Sequence, residues 1–180
     1  MNIVVVRSTG SGKTTLAREL ASCLGLRHVE LDALHWDPNW SEASYDIFRE
    51  RVQAALATDG WIVDGNYRSA RDIVWPRAEL IVMLDYSLGR VAWQLLRRIF
   101  VRGLTGVELW NGNRERIWEH FLTRKSLFLW LLRTHRRRRR DYTHLASLPE
   151  NSHLRLVRLR SPAETSRWLD DFVATERRPG

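Results

Sequence analysis

Apolar residues along this chain fall into short unbroken runs, separated by stretches in which they recur every three or four positions. Ile3-Val4-Val5-Val6, Trp61-Ile62-Val63 and Leu80-Ile81-Val82-Met83-Leu84 are continuous runs, the pattern of strands buried on both faces. Residues 27–31 and 153–159 supply two further strands. After residue 13, Leu16, Leu20 and Leu24 with Ala17, Ala21 and Cys23 form the inward stripe of a helix, which Gly25 ends. Residues 41–58 read as a second helix with Ser44 capping its latter part and Ile47, Phe48, Val52, Ala55 and Leu56 inward; Gly60 breaks it. Residues 33–40 read as an aromatic-rich loop. Residues 87–101 carry an inward face of Leu88, Val91, Ala92, Leu95 and Ile99, and Gly103 and Gly106 then open a loop. Residues 114–122 and 124–138 are helical stretches. A closing helix starts at Ser161-Pro162, a cap followed by proline in the first turn, and turns Trp168, Leu169 and Phe172 inward. Strands alternating with helices predict a three-layer α/β fold on a five-stranded, mainly parallel sheet, as one domain over residues 1–180.

The turn between the first strand and the first helix changes that picture from architecture to chemistry. It reads Ser8-Thr9-Gly10-Ser11-Gly12, followed by Lys13-Thr14-Thr15. Strand, glycine-rich turn, Lys-Thr and helix is the order of a phosphate-binding loop. Gly10 and Gly12 open backbone angles that let successive N–H groups converge on one concavity. The helix N-terminus adds unpaired donors and partial positive charge. Lys13 would reach the outer phosphates of ATP, and the Thr14 hydroxyl would ligate Mg2+. Gly10, Ser11, Gly12, Lys13, Thr14 and Thr15 are therefore the nucleotide-binding candidates. A dinucleotide fingerprint fits less well, because Thr15 stands where its third glycine belongs. In the strict pattern G-x-x-x-x-G-K-[ST] the first glycine falls at Arg7. That side chain has two readings: turned to solvent with binding intact, or crowding the loop and weakening it.

Ligands of such sheets bind beyond the carboxyl ends of the strands, and three ends carry an acidic residue. Asp64, before Gly65, is the candidate for a Walker B-type role on Mg2+, with a turn aspartate as the plain alternative. Asp32 either meets a substrate hydroxyl or caps the following segment. Asp85 reads as a turn or cap residue. His35 with Asp32 and Asp37 suggests a metal site, but a loop histidine beside aromatics more often packs or hydrogen-bonds.

Charge sharpens the division of labour. The chain carries a net charge of +8 over 180 residues. Residues 1–86 hold nine basic and twelve acidic side chains, residues 87–140 hold fourteen and three, and residues 141–180 hold six of each. The positive charge thus belongs to one region, whose partner should be anionic. Its core is a basic helical insert at 103–140 that ends in Arg136 to Arg140, placed to act as a lid. Arginines there suit phosphoryl transfer, which needs positive charge and exclusion of water. Single arginines otherwise read as a solvated helix face. Cys23 is the one cysteine, so no disulfide framework forms within the chain, which suits a reducing cytoplasm. The apolar run at 127–132 is too short to span a membrane.

With these pieces in place the chain resembles the adenylate kinase-like branch of P-loop NTPases. The resemblance rests on Gly10-x-Gly12-Lys13-Thr14-Thr15, on Val63-Asp64-Gly65-Asn66-Tyr67-Arg68, and on the basic insert before the last strand. The second segment is similar to the Asp-Gly-Phe-Pro-Arg signature of adenylate kinases, with Asn66-Tyr67 in place of Phe-Pro. That match implies that Asp64 orders Mg2+ and that Arg68 grips an acceptor phosphate. Over nearly its whole length the chain looks like small bacterial proteins called DNA topology modulation proteins or adenylate kinase-like ATPases, through Leu31-Asp32-Ala33-Leu34-His35-Trp36 and Asp64-Gly65-Asn66-Tyr67. The full lid signature of adenylate kinases is not legible, so AMP as acceptor is unsupported.

The resulting expectation is an ATP- and Mg2+-dependent phosphotransferase of nucleoside/nucleotide-kinase type. It acts on a small unidentified acceptor, with Lys13, Asp32 and Arg68 catalytic, Thr14 and Asp64 on the metal, and residues 33–58 on the acceptor side. The rival is a nucleic-acid-binding ATPase whose arginines and Trp93, Trp110, Trp118 and Trp130 meet phosphate and bases. Against it, the spacing of Trp93, Trp118 and Trp130 suits packed helix faces. A third reading is a P-loop protein that binds nucleotide poorly because of Arg7.

Overall fold

The alternation within each apolar run decides how the layers assemble. The computed structural model describes residues 1–6, 11–105, 111, 142, 144–145 and 148–177, with residues 98–105 described by their backbone. Five strands make one sheet: β1 (Asn2–Val6), β2 (Arg27–Glu30), β5 (Trp61–Asp64), β6 (Leu80–Leu84) and β7 (Arg155–Leu159). All their pairings are parallel, in the order β2-β5-β1-β6-β7. Ile3 and Val5 of β1 pack on one side with Leu16, Ala17 and Leu20 of α1 (Lys13–Leu24) and with Ile62, Val82 and Leu84. Val4 and Val6 pack on the other with Phe48 and Val52 of α3 (Tyr45–Ala55) and with Val63 and Met83. A strand covered on both faces has no polar side to show, which is why its sequence does not alternate. The three-layer α/β fold and the five-stranded sheet are as expected.

The chain between β2 and α3 is more ordered than its sequence suggests. Residues 33–40, expected as loop, belong to a short helix α2 (Leu31–His35) and to a ribbon of β3 (Trp36–Asp37) paired antiparallel with β4 (Ser41–Glu42). The ribbon is pinned from outside: the Ala43 N–H donates to the His35 carbonyl at 2.8 Å. Arg51 Nη1 donates to the Asp37 carboxylate at 2.8 Å and to the Leu34 carbonyl at 3.1 Å. The helix expected from residue 41 therefore begins at Tyr45, with Ser44 as its N-cap accepting from the Ile47 N–H. Its buried arc is Phe48, Val52 and Ala55, and Ile47 stands a helical step off that arc at 46 % exposure, outside the core it was assigned to.

Beyond Tyr67 the chain makes two short 3-10 turns around α4 (Arg71–Val74) before entering β6. Helix α5 runs Leu88–Thr105, so Gly103, expected to open a loop, lies inside a helix. Val91 and Leu95 are buried on α5, whereas Trp93 faces away at 66 % exposure rather than packing. Cys23 is only half-buried. The closing helix α6 (Pro162–Glu176) is capped by Ser161, whose side chain accepts from the Glu164 N–H. Arg7, Gly10, the helical stretches 114–122 and 124–138 with Trp118 and Trp130, Trp110, and Arg136 to Arg140 lie outside the described residues. Among the described residues no helix is long and apolar enough to cross a membrane.

Candidate active site

Parallel strands deliver their carboxyl ends to one edge, and β2, β5 and β1 lie side by side there. β1 ends at Val6 and leads into the glycine-rich turn. Gly12, the N-cap of α1, has φ of +88°, and among the described residues no atom lies within 4 Å of where a Cβ would stand. Left-handed backbone, rather than crowding, is what asks for glycine. Among the described residues no side chain caps α1, and uncapped N–H groups of a first helical turn can meet an anion. Ser11 is 1 % exposed and, among the described residues, its Oγ has no hydrogen-bond partner. Lys13 and Thr14 are half-buried at the first turn. The structure thus sets Ser11, Gly12, Lys13, Thr14 and Thr15 at the mouth of α1; Gly10 lies outside the described residues.

Asp64 ends β5, in register with Val5 of β1 on one side and Glu30 of β2 on the other. It is 1 % exposed. Ile62 packs with α1, and a period of two puts the Asp64 side chain on that same face. Among the described residues its side-chain partner is His28, whose Nε2 lies 3.4 Å from Oδ2. An ionised carboxylate only accepts, so Nε2 is the donor. The other ring nitrogen stands 3.8 Å from Oε1 of Glu30, which Arg18 of α1 meets at 3.3 Å. Among the described residues Asp64 has this one long hydrogen bond, and a buried carboxylate is costly without further donors or a cation. Carboxylate, threonine hydroxyl and partnerless serine hydroxyl are the hard oxygen donors that magnesium takes. The residues present therefore fit a magnesium-nucleotide.

Asp32 sits in the first turn of α2, whose N-cap is Glu30, so the capping alternative for Asp32 does not hold. Its Oδ1 accepts from the Tyr67 hydroxyl at 2.7 Å. Burial pushes the Tyr67 phenol well above its ordinary value, and the Asp32 charge adds to that. Tyr67 therefore stays a donor. Its ring clusters with those of His35 (centroids 4.4 Å apart) and Phe48 (5.0 Å), which stand 5.2 Å from each other. Arg68 follows it, exposed. The three residues of the sequence-derived metal reading part company: Asp32 turns to Tyr67, Asp37 to Arg51, and His35 into the rings of Trp36, Phe48 and Tyr67. Among the described residues no group of acidic, histidine or cysteine side chains could hold a metal on its own, so Asp64 and Thr14 would need a nucleotide's phosphates to complete a magnesium shell.

The turn after β5 brings these pieces together. Gly65 has φ of +121°, and a Cβ there would lie 2.9 Å from the Leu31 Cβ. Its bare backbone lets the turn press on α2, which carries Tyr67 to Asp32. Asn66 Nδ2 donates to the Tyr142 hydroxyl. Asn111 Nδ2 donates to the Trp36 carbonyl at 2.5 Å. Sequence reasoning missed His28, the Tyr67 bond and these two contacts. Only His28 left a signal: it alternates with Glu30 on the strand beside Asp64. Asp85 was expected as a turn or cap residue; it is buried, and accepts from Arg158 Nε at 2.6 Å across the ends of β6 and β7.

The chain matches no protein-family model and no curated protein. Among solved structures it is similar to a shikimate kinase from Bacteroides thetaiotaomicron, at 10 % identity and a TM-score of 0.56, covering 97 % of each chain. It is also similar to a sugar kinase from Janibacter sp. HTCC2649, at 17 % identity and a TM-score of 0.50, covering 96 % of this chain and 92 % of that one. The chain shares the α/β fold of these two kinases.

Proposed function

We propose that the protein is an ATP-dependent phosphotransferase of nucleoside/nucleotide-kinase type acting on a small hydroxyl-bearing acceptor. The observation that carries this reading is Asp64: a buried carboxylate at the end of the strand beside β1, on the face of α1, whose N-terminus no described side chain caps. Lys13 and the loop amides from Gly10 to Thr15 hold the β- and γ-phosphates. Thr14 and Asp64 hold Mg2+, which when bound neutralises charge on the phosphates. Asp32 and Arg68 face the acceptor. Its hydroxyl oxygen bonds to the γ-phosphorus as the bond to the bridging oxygen breaks; the proton passes to Asp32 and ADP leaves. Arginines of the insert at 103–140 cover the reaction. The kinase fold neighbours support this class of reaction. The segments 31–36 and 64–67, which interlock around Gly65 and Tyr67, support kinship with the bacterial topology modulation proteins.

Calorimetry of MgATP with native protein and Lys13→Ala tests the reading. Losing one charge-assisted hydrogen bond of about 1.5–3 kcal/mol should weaken binding about tenfold or more. Native affinity in the variant refutes the loop assignment. Release of ADP, screened over nucleosides, nucleotides and small hydroxylated metabolites, then identifies the acceptor.

A further inference from the structure

The pairing of Tyr67 with Asp32 has a purpose that neither residue's position explains alone. Asp32 is half-buried and Tyr67 spends one of its oxygens, at 2.7 Å. Among the described residues the second carboxylate oxygen has no hydrogen-bond partner and can take another donor. A carboxylate held by one donor swings about its Cβ–Cγ bond unless that donor is itself fixed. Here the donor is fixed three times over. The phenol ring packs against the rings of both His35 and Phe48, which also touch each other. Phe48 is itself buried in the core beneath α3. The backbone leading to Tyr67 is set by Gly65, whose Cα lies against Leu31, the residue before Asp32. The groups that bear on the phenol electrostatically are Asp32 and Glu42, both negative, and Trp36 by hydrogen bond. All but the last oppose ionisation, so the hydroxyl keeps its proton and its direction.

We infer that Tyr67 is a positioning residue: its hydroxyl locks the Asp32 carboxylate so that the free oxygen faces the acceptor's hydroxyl. This rests on the phosphotransferase reading and adds to it a residue that touches neither nucleotide nor acceptor. The arrangement favours an acceptor that arrives with a hydroxyl donor over one that arrives with an anionic oxygen, because Asp32 remains a pure acceptor.

The test uses the full chain and MgATP alone, water standing in for the acceptor's hydroxyl. Tyr67→Phe should lower ADP release at saturating MgATP about tenfold while the calorimetric affinity for MgATP stays native, since the loop is untouched. Asp32→Asn should lose at least as much, and the double variant no more than Asp32→Asn alone, the mark of two residues acting as a unit. A second readout needs no turnover. Ultraviolet titration of the phenols, with Tyr67→Phe identifying the Tyr67 signal, should show Tyr67 ionising at lower pH in Asp32→Asn than in native protein. Native turnover in Tyr67→Phe, full additivity in the double variant, or a Tyr67 titration indifferent to Asp32 overturns the inference. Failure of the phosphotransferase reading itself appears elsewhere, as undiminished MgATP binding by Lys13→Ala.

Discussion

His28 stands between two carboxylates, with Nε2 3.4 Å from Asp64 and Nδ1 3.8 Å from Glu30. It is the partner that lets a charge remain buried at the end of β5. Replacing it by alanine leaves Asp64 desolvated and without that donor. His28→Ala should destabilise the protein by about 1–2 kcal/mol, the lower part of the range for a bond to a charged group because this one is long. Urea unfolding measures it; an unchanged midpoint would mean that Asp64 draws its compensation from elsewhere.

Gly65→Ala should cost about 2–3 kcal/mol, from a φ of +121° and a Cβ 2.9 Å from Leu31. The damage should reach beyond stability, since the same turn carries Tyr67 to Asp32. Thermal unfolding of the variant checks the first part. A melting temperature within error of native would show that Leu31 moves aside freely.

How far the sequence could be read depends on the range of the interactions involved. The strands were legible because burial on both faces forces unbroken apolar runs, as in Ile3 to Val6. The turn into α1 was legible because the residue before Lys13 must take a left-handed backbone, which asks for glycine at position 12. The ribbon at residues 36–42 was not, because it closes through Arg51, a residue nine positions beyond its end, on another element. Asp85 was misread for the same reason: its partner Arg158 is 73 residues away. Ile47 and Trp93 show the limit of periodicity, since an apolar residue a step off the buried arc looks much like one on it.

Asn2 ties the opposite edge of the sheet. Its side chain accepts from the Gly60 N–H at 3.0 Å and donates to the Arg77 carbonyl at 2.9 Å and to Asp59 at 3.1 Å. Asn2→Leu keeps the volume but leaves those groups without their partner in a buried position. A loss of about 2–3 kcal/mol is expected in urea unfolding; a neutral result would mean that water reaches Gly60 and Arg77.

Acid should act on the exposed ion pair of Arg49 and Asp72, joined through both guanidinium nitrogens at 2.7 Å. The hydrogen bond from Arg49 holds the Asp72 carboxyl below its ordinary 3.8. A folded value below the unfolded one adds stability above 3.8 and loses it as pH falls through the lowered value. The stability difference between native protein and Arg49→Met should therefore be whole well above 3.8 and fade as pH falls below it. A difference independent of pH would assign the effect of Arg49 to its bond with the Ser69 carbonyl instead.

The strand order has a cost in time. β1 lies at the centre of the sheet, yet its hydrogen-bonded neighbours begin at residues 61 and 80. Until both are in reach, a run of four β-branched residues has nowhere in its own chain to hide, and such runs are prone to pair with strangers. Seating β1 requires contacts that close loops of some sixty residues or more, and pairings that distant make folding slow for its size. The same placement that sets the glycine turn between two strand ends leaves a growing or denatured chain most exposed to aggregation.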